Sequence, residues 1–251
     1  MSAFSEGSVV LRDITLAYDG CPAVHRVSGS FMRGSLTAIV GPNGSGKTTL
    51  LKGIVGLLQP ADGRIERARF GRGGIAYLPQ HTEIERGFPI SVLDTVLLGH
   101  WGRIGWARGV TGELREAAQQ AIAAVGLEGF ERQPIATLSA GQFQRVLFAR
   151  LIVQNAELIL LDEPLSAIDW RTAEDLLRLI IGWHRAGCTV VAVLHNLDQV
   201  GAYFPDTLLL ARECIAWGPT REVLVPPNLR RARQMADARP AKAEDWQRVP
   251  A

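Results

Sequence analysis

Cysteine is scarce in this 251-residue chain: Cys21, Cys188 and Cys214 lie far apart, show no metal-ligand spacing and leave an odd count. That excludes a disulfide framework and points to reduced structural thiols in a reducing compartment. Long apolar runs are missing too. A bilayer-spanning helix needs roughly 20 apolar residues, and the longest candidates here, such as Thr189 to Leu194, are strand-sized. The opening MSAFSEGSVVLRD has neither a basic start nor an apolar core, so no secretion signal is expected and the chain should stay on the cytoplasmic side. Charge of one sign is also lacking, with 27 Lys/Arg against 25 Asp/Glu for a net charge of +2. From Asn228 onward, Arg230, Arg231, Arg233, Arg239, Lys242 and Arg248 face Asp237, Glu244 and Asp245, which is +3 and leaves −1 for the remainder. A near-neutral body excludes a broad nucleic-acid footprint, and the sparse basic tail reads as a solvated extension. His25, His81, His100 and His184 share no helical face or ligand spacing and are assigned to surface or packing roles.

What is present is a 47% apolar composition and alternating strand and helix signals, the mark of an α/β layer architecture. Val9 to Tyr18 and Ser35 to Val40 read as strands, the second running into a glycine-rich turn. Lys47 to Leu58 reads as a helix, stopped by Gln59-Pro60 and the turn Ala61-Asp62-Gly63. Gly74 to Leu78 is a short strand ending at Pro79-Gln80. Between Ser91 and Gln154 the strand signal disappears, and Leu114, Ala117, Ala118, Ala121, Ile122 and Val125 recur at helical spacing. Strands resume at Glu157 to Asp162 and Cys188 to Leu194, separated by a helix from Arg171 to Arg185 in what reads as a parallel crossover unit.

Two segments carry chemistry by themselves. Gly41-Pro42-Asn43-Gly44-Ser45-Gly46-Lys47-Thr48, followed by Thr49, fits G-x-x-x-x-G-K-[ST] between a strand and a helix. Glycines let backbone N–H groups turn inward around phosphates, and the helix N-terminus adds partial positive charge. Lys47 is expected to pair with the β- and γ-phosphates of ATP and the Thr48 hydroxyl to bind Mg²⁺. The second segment is the apolar run Leu158 to Leu161 ending in Asp162-Glu163. A buried parallel strand delivers carboxylates at its C-terminal end, where ligands bind in open α/β sheets. Asp162 is then expected to hold Mg²⁺ through water and Glu163 to act as general base. Two acids after a strand also suit a solvated turn; the phosphate loop favours the functional reading.

The discriminating run is Leu138-Ser139-Ala140-Gly141-Gln142, followed by Phe143-Gln144-Arg145. Here the sequence resembles the ATP-binding cassette family, whose signature usually reads L-S-G-G-Q, so Ala140 departs at the third position. The resemblance extends from Val9 to about Met235. It implies a P-loop NTPase cassette of α/β class, with a mainly parallel core sheet, an N-terminal antiparallel β region and a helical subdomain inserted at about 88–154. Residues 1–236 would form a single domain and 237–251 a flexible tail. The resemblance further implies that Tyr18 stacks on adenine and that Gln80 touches Mg²⁺ and the attacking water. Asp169, in Ser166-Ala167-Ile168-Asp169, would cross a dimer interface. His195 would contact the γ-phosphate, and Ser139, Gly141 and Gln142 would meet the γ-phosphate of a second subunit.

The implied partners are a second copy of the chain, an integral membrane permease and, indirectly, a substrate-binding protein, with the chain peripheral on the cytoplasmic face of the inner or plasma membrane. Phe88 to Val96, Leu98-Gly99-His100 and Gly105-Trp106 look like subunits of zinc, manganese and iron importers, although siderophore and cofactor importers share similar segments. The surface near Gln80 to Val92, which carries the Gly87-Phe88-Pro89 loop, is the expected meeting place with the permease. The alternative of another class, a soluble cassette ATPase in iron–sulfur cluster assembly, has similar length and motifs.

Overall fold

A computed structural model describes residues 7–70, 74–80, 89–104 and 109–237, and the chain divides into two compact units, 1–68 with 189–251 and 69–188. In the first unit, β1 (Gly7–Tyr18) and β2 (Cys21–Met32) pair antiparallel around Asp19-Gly20. Both turn residues have positive φ, 49° and 78°. That is the backbone of a two-residue hairpin whose twist matches its strands. Strand β3 (Leu36–Val40) is buried along its whole length and runs into the glycine-rich loop, helix α1 (Lys47–Val55) and strand β4 (Asp62–Arg67). The outer sheet has the order β2-β1-β4.

The C-terminal part of this unit supplies β7 (Thr189–Val193), α7 (Leu197–Tyr203), β8 (Asp206–Ala211), β9 (Glu213–Pro219), α8 (Thr220–Val223) and α9 (Pro226–Asp237). β3 lies parallel between β7 and β8, and β9 closes the edge antiparallel to β8. A strand covered on both faces tolerates continuous apolar sequence, as Leu-Thr-Ala-Ile-Val and Thr-Val-Val-Ala-Val do. The two sheets meet where Trp217 of β9 packs 4.7 Å from the Phe31 ring of β2. Gly29 makes room, since a Cβ there would stand 2.5 Å from the indole.

Two segments depart from their sequence pattern. Helix α1 stops at Val55 and not at Leu58, because Gly56 adopts φ 91° and turns its N–H back to Lys52 and Gly53. Arg67 seals that end, donating to the carbonyls of Ile54 at 2.6 Å and Gly53 at 2.7 Å. The basic extension from Asn228 is not wholly solvated either. Its first part is helix α9, packed on β8 and β9 with Ala232 buried. Apolar side chains three residues apart, Leu229 and Ala232, give that helix its packed stripe. Residues 238–251 of the tail lie outside the described residues.

In the second unit β5 (Ile75–Leu78) runs parallel to β6 (Leu158–Asp162), in register from Ile75 with Leu158 to Leu78 with Leu161. The rest is helical: α2 (Val92–Leu97), α3 (Trp101–Ile104), α4 (Gly112–Ala124), α5 (Ala140–Gln154) and α6 (Trp170–Arg185). Helices α2, α4 and α5 pack on one another, and between 91 and 154 the described residues contain a lone bridge, Ser91 with Pro134, in place of strands. Arg145 of α5 ties the end of α4 to α6, donating to the Val125 carbonyl at 2.9 Å and to Asp175 at 2.7 Å. Among the described residues no helix is long and apolar enough to cross a membrane.

Candidate functional site

Parallel pairing decides where the phosphate loop emerges. Ile39 of β3 is level with Val193 of β7, so Gly41 and His195 leave the same end of neighbouring strands. They line one cavity of about 220 Å³ together with Pro42, Leu194 and Arg233. Within the loop, Gly41, Gly44 and Gly46 have φ of 156°, 72° and 94°. A Cβ on Gly41 would lie 2.0 Å from the Leu210 carbonyl oxygen, and one on Gly46 2.4 Å from that of Ala23. The second contact also locates Tyr18: Ala23 lies two residues after Cys21, which pairs with Tyr18, so this hairpin end runs beside the loop. Tyr18 is 45% exposed, available to an aromatic ligand.

Lys47 is buried inside the loop and donates from Nζ to the carbonyls of Gly41 at 2.9 Å and Pro42 at 2.8 Å. The ammonium thus sits at the centre of the turn. The Ser45 hydroxyl is buried with no hydrogen-bond partner among the described residues. Asn43 and Gly44 are exposed, Thr48 is half-buried and Thr49 is buried. Helix α1 begins without a side-chain cap and without an acid in its first turn. By contrast α2, α4, α5, α6 and α7 are capped by Ser91, Thr111, Ser139, Asp169 and Asn196. An uncapped helix start beside a buried lysine leaves N–H donors and positive charge for an anion. The His195 side chain is exposed, just ahead of Asn196, which caps α7 by accepting from the N–H groups of Asp198 and Gln199.

In the second unit the parallel β5–β6 pair brings Gln80 and Asp162-Glu163 to one end of adjacent strands. Asp162 is 1% exposed. Glu163 turns away at φ 52° and Ala167 at φ 59°, a left-handed conformation that is costly without glycine and recurs where function demands a particular side-chain direction. Ser166 holds that turn, donating its hydroxyl to Glu163 Oε2 at 3.3 Å and its N–H to the Glu163 carbonyl at 3.2 Å.

Ser139 and Gln142 form a capping box at the start of α5. The Ser139 hydroxyl accepts from the Gln142 N–H at 3.2 Å, and the Gln142 side chain accepts from the Ser139 N–H at 2.9 Å. The N–H groups of Ala140 and Gly141 belong to the first turn, where no intrahelical acceptor is available, and Ser139 and Ala140 are exposed. Ala140 is exposed, so its methyl group burdens no packed neighbour. Gly141 abuts the start of α6, where a Cβ would lie 3.4 Å from Thr172 Oγ1 and 3.5 Å from Asp169 Oδ2. Asp169 caps α6 through the Thr172 N–H, and hydrogen bonds from Thr172 hold its carboxyl below the ordinary aspartate range.

Two positioning residues carry no sequence signal as such. Gln144 donates to the Pro164 carbonyl at 2.8 Å, tying α5 to the turn after Glu163. Arg145, already described, fixes α5 against α4 and α6. Both belong to the run Phe143-Gln144-Arg145, which reads as family pattern and not as contacts. Phe88, His81 and Gly105-Trp106 lie outside the described residues. Burial pushes the thiols of Cys188 and Cys214 up, which keeps them unreactive.

The family model described as ABC transporter matches residues 24–166. The manganese transport system ATP-binding protein MntB of Listeria monocytogenes is 37% identical over 87% of this chain and 93% of its own. The zinc transport system ATP-binding protein TroB of Treponema pallidum is 37% identical over 90% of this chain and 86% of its own. Among solved structures, a metal-chelate type ABC transporter in an inward-facing conformation is 31% identical with a TM-score of 0.81, covering 91% of this chain and 89% of the other. A bacterial ABC transporter cassette solved as a dimer is 26% identical with a TM-score of 0.74, over 85% and 99%.

Proposed function

The chain belongs to the ABC transporter family, and from that premise we propose that it is the ATP-hydrolysing subunit that energises import of a divalent transition-metal ion, manganese or zinc. ATP binding and hydrolysis in the service of transport are the family's activity. The observation that carries the reading is the uncapped start of α1 behind a loop whose buried Lys47 is held by its own backbone carbonyls. Opening the carbonyl contacts of Lys47 to the β- and γ-phosphates exchanges neutral acceptors for charged ones, and charge-assisted hydrogen bonds are about twice as strong. The loop N–H groups and the α1 dipole add to the same anion.

Thr48, Gln80 and Asp162 would hold Mg²⁺, in part through water; all three offer oxygen, the donor this hard cation prefers. When bound, the ion supplies charge neutralisation on the phosphates. Glu163 is the general base that takes a proton from the attacking water, and His195 orients the γ-phosphate end of the site. Tyr18 stacks on the adenine. Ser139, Gly141 and Gln142 of a second copy contact the γ-phosphate, with Asp169 at the same interface, so that two copies sandwich two nucleotides. ATP then favours the closed pair because it binds that state better than the open one. A peripheral position on the cytoplasmic face, a permease bound near Phe88 and a substrate-binding protein delivering the metal complete the assembly. Residues 1–236 act as one cassette.

Turnover by Glu163→Gln tests the chemical core. ATP binding should persist while hydrolysis falls about 10²- to 10⁴-fold, the usual worth of a positioned base; near-normal hydrolysis would remove Glu163 from the role. For the cargo, deletion of the coding sequence should give a growth defect under manganese or zinc depletion. A defect rescued by another nutrient alone would reject metal import.

A further inference from the structure

Helix α6 starts with a side chain that packing does not explain. Trp170, its first residue, is 70% exposed, and burying an indole is among the largest single apolar gains available to a protein. The helix start beneath the ring is capped, and the ring has a cationic neighbour. Asp169 fixes the helix start through the Thr172 N–H at 3.0 Å, and the Arg171 guanidinium lies 5.4 Å from the Trp170 ring centroid, within cation–π range. An aromatic ring with only two side-chain torsions loses little entropy on binding. Tryptophan and arginine are also the residue types most enriched among those that dominate interface energies.

The position of this pair identifies the partner. Gly141 of the signature run approaches the same helix start, with Thr172 Oγ1 and Asp169 Oδ2 3.4 and 3.5 Å from where its Cβ would be. Gly141 therefore lies against the start of the helix that Trp170 opens. Given the proposal above that Ser139 and Gly141 meet the nucleotide of a second copy, with Asp169 at the same interface, the exposed ring directly after Asp169 has a second copy as its nearest partner. We propose that Trp170, stacked by Arg171, is an anchor of the interface between two copies of this chain in the ATP-bound state. The inference rests on the sandwich reading and adds the residue that holds the sandwich by apolar burial and not through nucleotide.

The test uses the full chain with Glu163→Gln to retain ATP, and sedimentation to measure the dimer dissociation constant in ATP and Mg²⁺. Adding Trp170→Ala should weaken that dimer about thirty-fold, equivalent to about 2 kcal/mol. Binding of a fluorescent ATP analogue by the dilute monomer should not change, and Trp170→Phe should recover most of the loss. Because Trp170 is exposed, the fold should survive, with an unshifted melting temperature as the check. An ATP dimer of equal strength with and without Trp170→Ala overturns the inference and leaves the sandwich intact. Equal dimers combined with lost co-purification of a membrane protein overturn it in favour of a permease contact. No ATP-dependent dimer in the Glu163→Gln chain overturns the sandwich reading and this inference with it.

Discussion

Gly46 is the position at which loop geometry converts most directly into a number. Replacing it with alanine asks a residue with a side chain to hold φ 94°, beyond the left-handed well that non-glycine residues enter at a cost of about 1–2 kcal/mol. The new Cβ would also stand 2.4 Å from the Ala23 carbonyl oxygen and 2.7 Å from Val24 Cγ2. One neighbour is backbone and the other a stiff β-branched side chain, so overpacking adds about 1–3 kcal/mol. The total is about 2–5 kcal/mol. For a chain of this size each kcal/mol moves the melting temperature by about 2–4 °C, which gives a drop of about 4–20 °C. Gly44→Ala is the control: it has φ 72° and nothing within 4 Å of a Cβ, so only the conformational term remains. Thermal melts of both variants separate the two costs. Lys47 follows Gly46 directly, so ATP affinity should fall about ten- to hundredfold in Gly46→Ala as one charge-assisted hydrogen bond is misdirected. A Gly46→Ala chain as stable as Gly44→Ala would refute the close approach of β2 to the loop.

Other consequences follow from single contacts. Arg145→Met removes the donors to Val125 and Asp175 while keeping the aliphatic stem; urea unfolding should show a loss of about 1.5–3 kcal/mol, and an unchanged midpoint would contradict the tie. Because the folded pKa of Asp169 is depressed by Thr172, its capping contribution is complete above the ordinary aspartate value of about 3.9 and disappears as pH falls through the lower folded value. A carbon-detected NMR titration should place that carboxyl below the ordinary value; a midpoint at or above it would contradict the cap.

The phosphate loop was legible because its chemistry demands a fixed spacing, G-x-x-x-x-G-K-[ST], directly after a fully apolar strand. Asp162-Glu163 was legible as the end of the apolar run Leu158 to Leu161, whereas Gln80 was marked only by the family resemblance. Strand β2 was not, because register shifts against β1 and a burial pattern without strict alternation hide its period, although Asp19-Gly20 was a hairpin signal in plain view. Strand β4, Asp-Gly-Arg-Ile-Glu-Arg, is a mostly polar edge with nothing to mark it as sheet. The early end of α1 and the left-handed turn at Glu163 depend on backbone dihedrals that composition does not announce. Charge counting masked α9, where a two-residue apolar stripe outweighs the arginines around it. Trp170 fell just outside the helix read from Arg171 to Arg185, and only the fold shows it as the exposed first residue of α6.

If the phosphate loop of one copy and the signature of another work on each nucleotide, two separately inactive variants should complement each other. Lys47→Ala and Ser139→Arg are each made and shown to be inactive, then mixed under conditions that exchange subunits, with mixed dimers verified by differential tags. In a mixed dimer one site carries both lesions and the other pairs an intact Lys47 with an intact Ser139. ATPase activity should return in proportion to the mixed dimers formed. No recovery at any mixing ratio, accompanied by cross-links between cysteines introduced at Ser45 and Gln142 that form within a chain but never between chains, would contradict it.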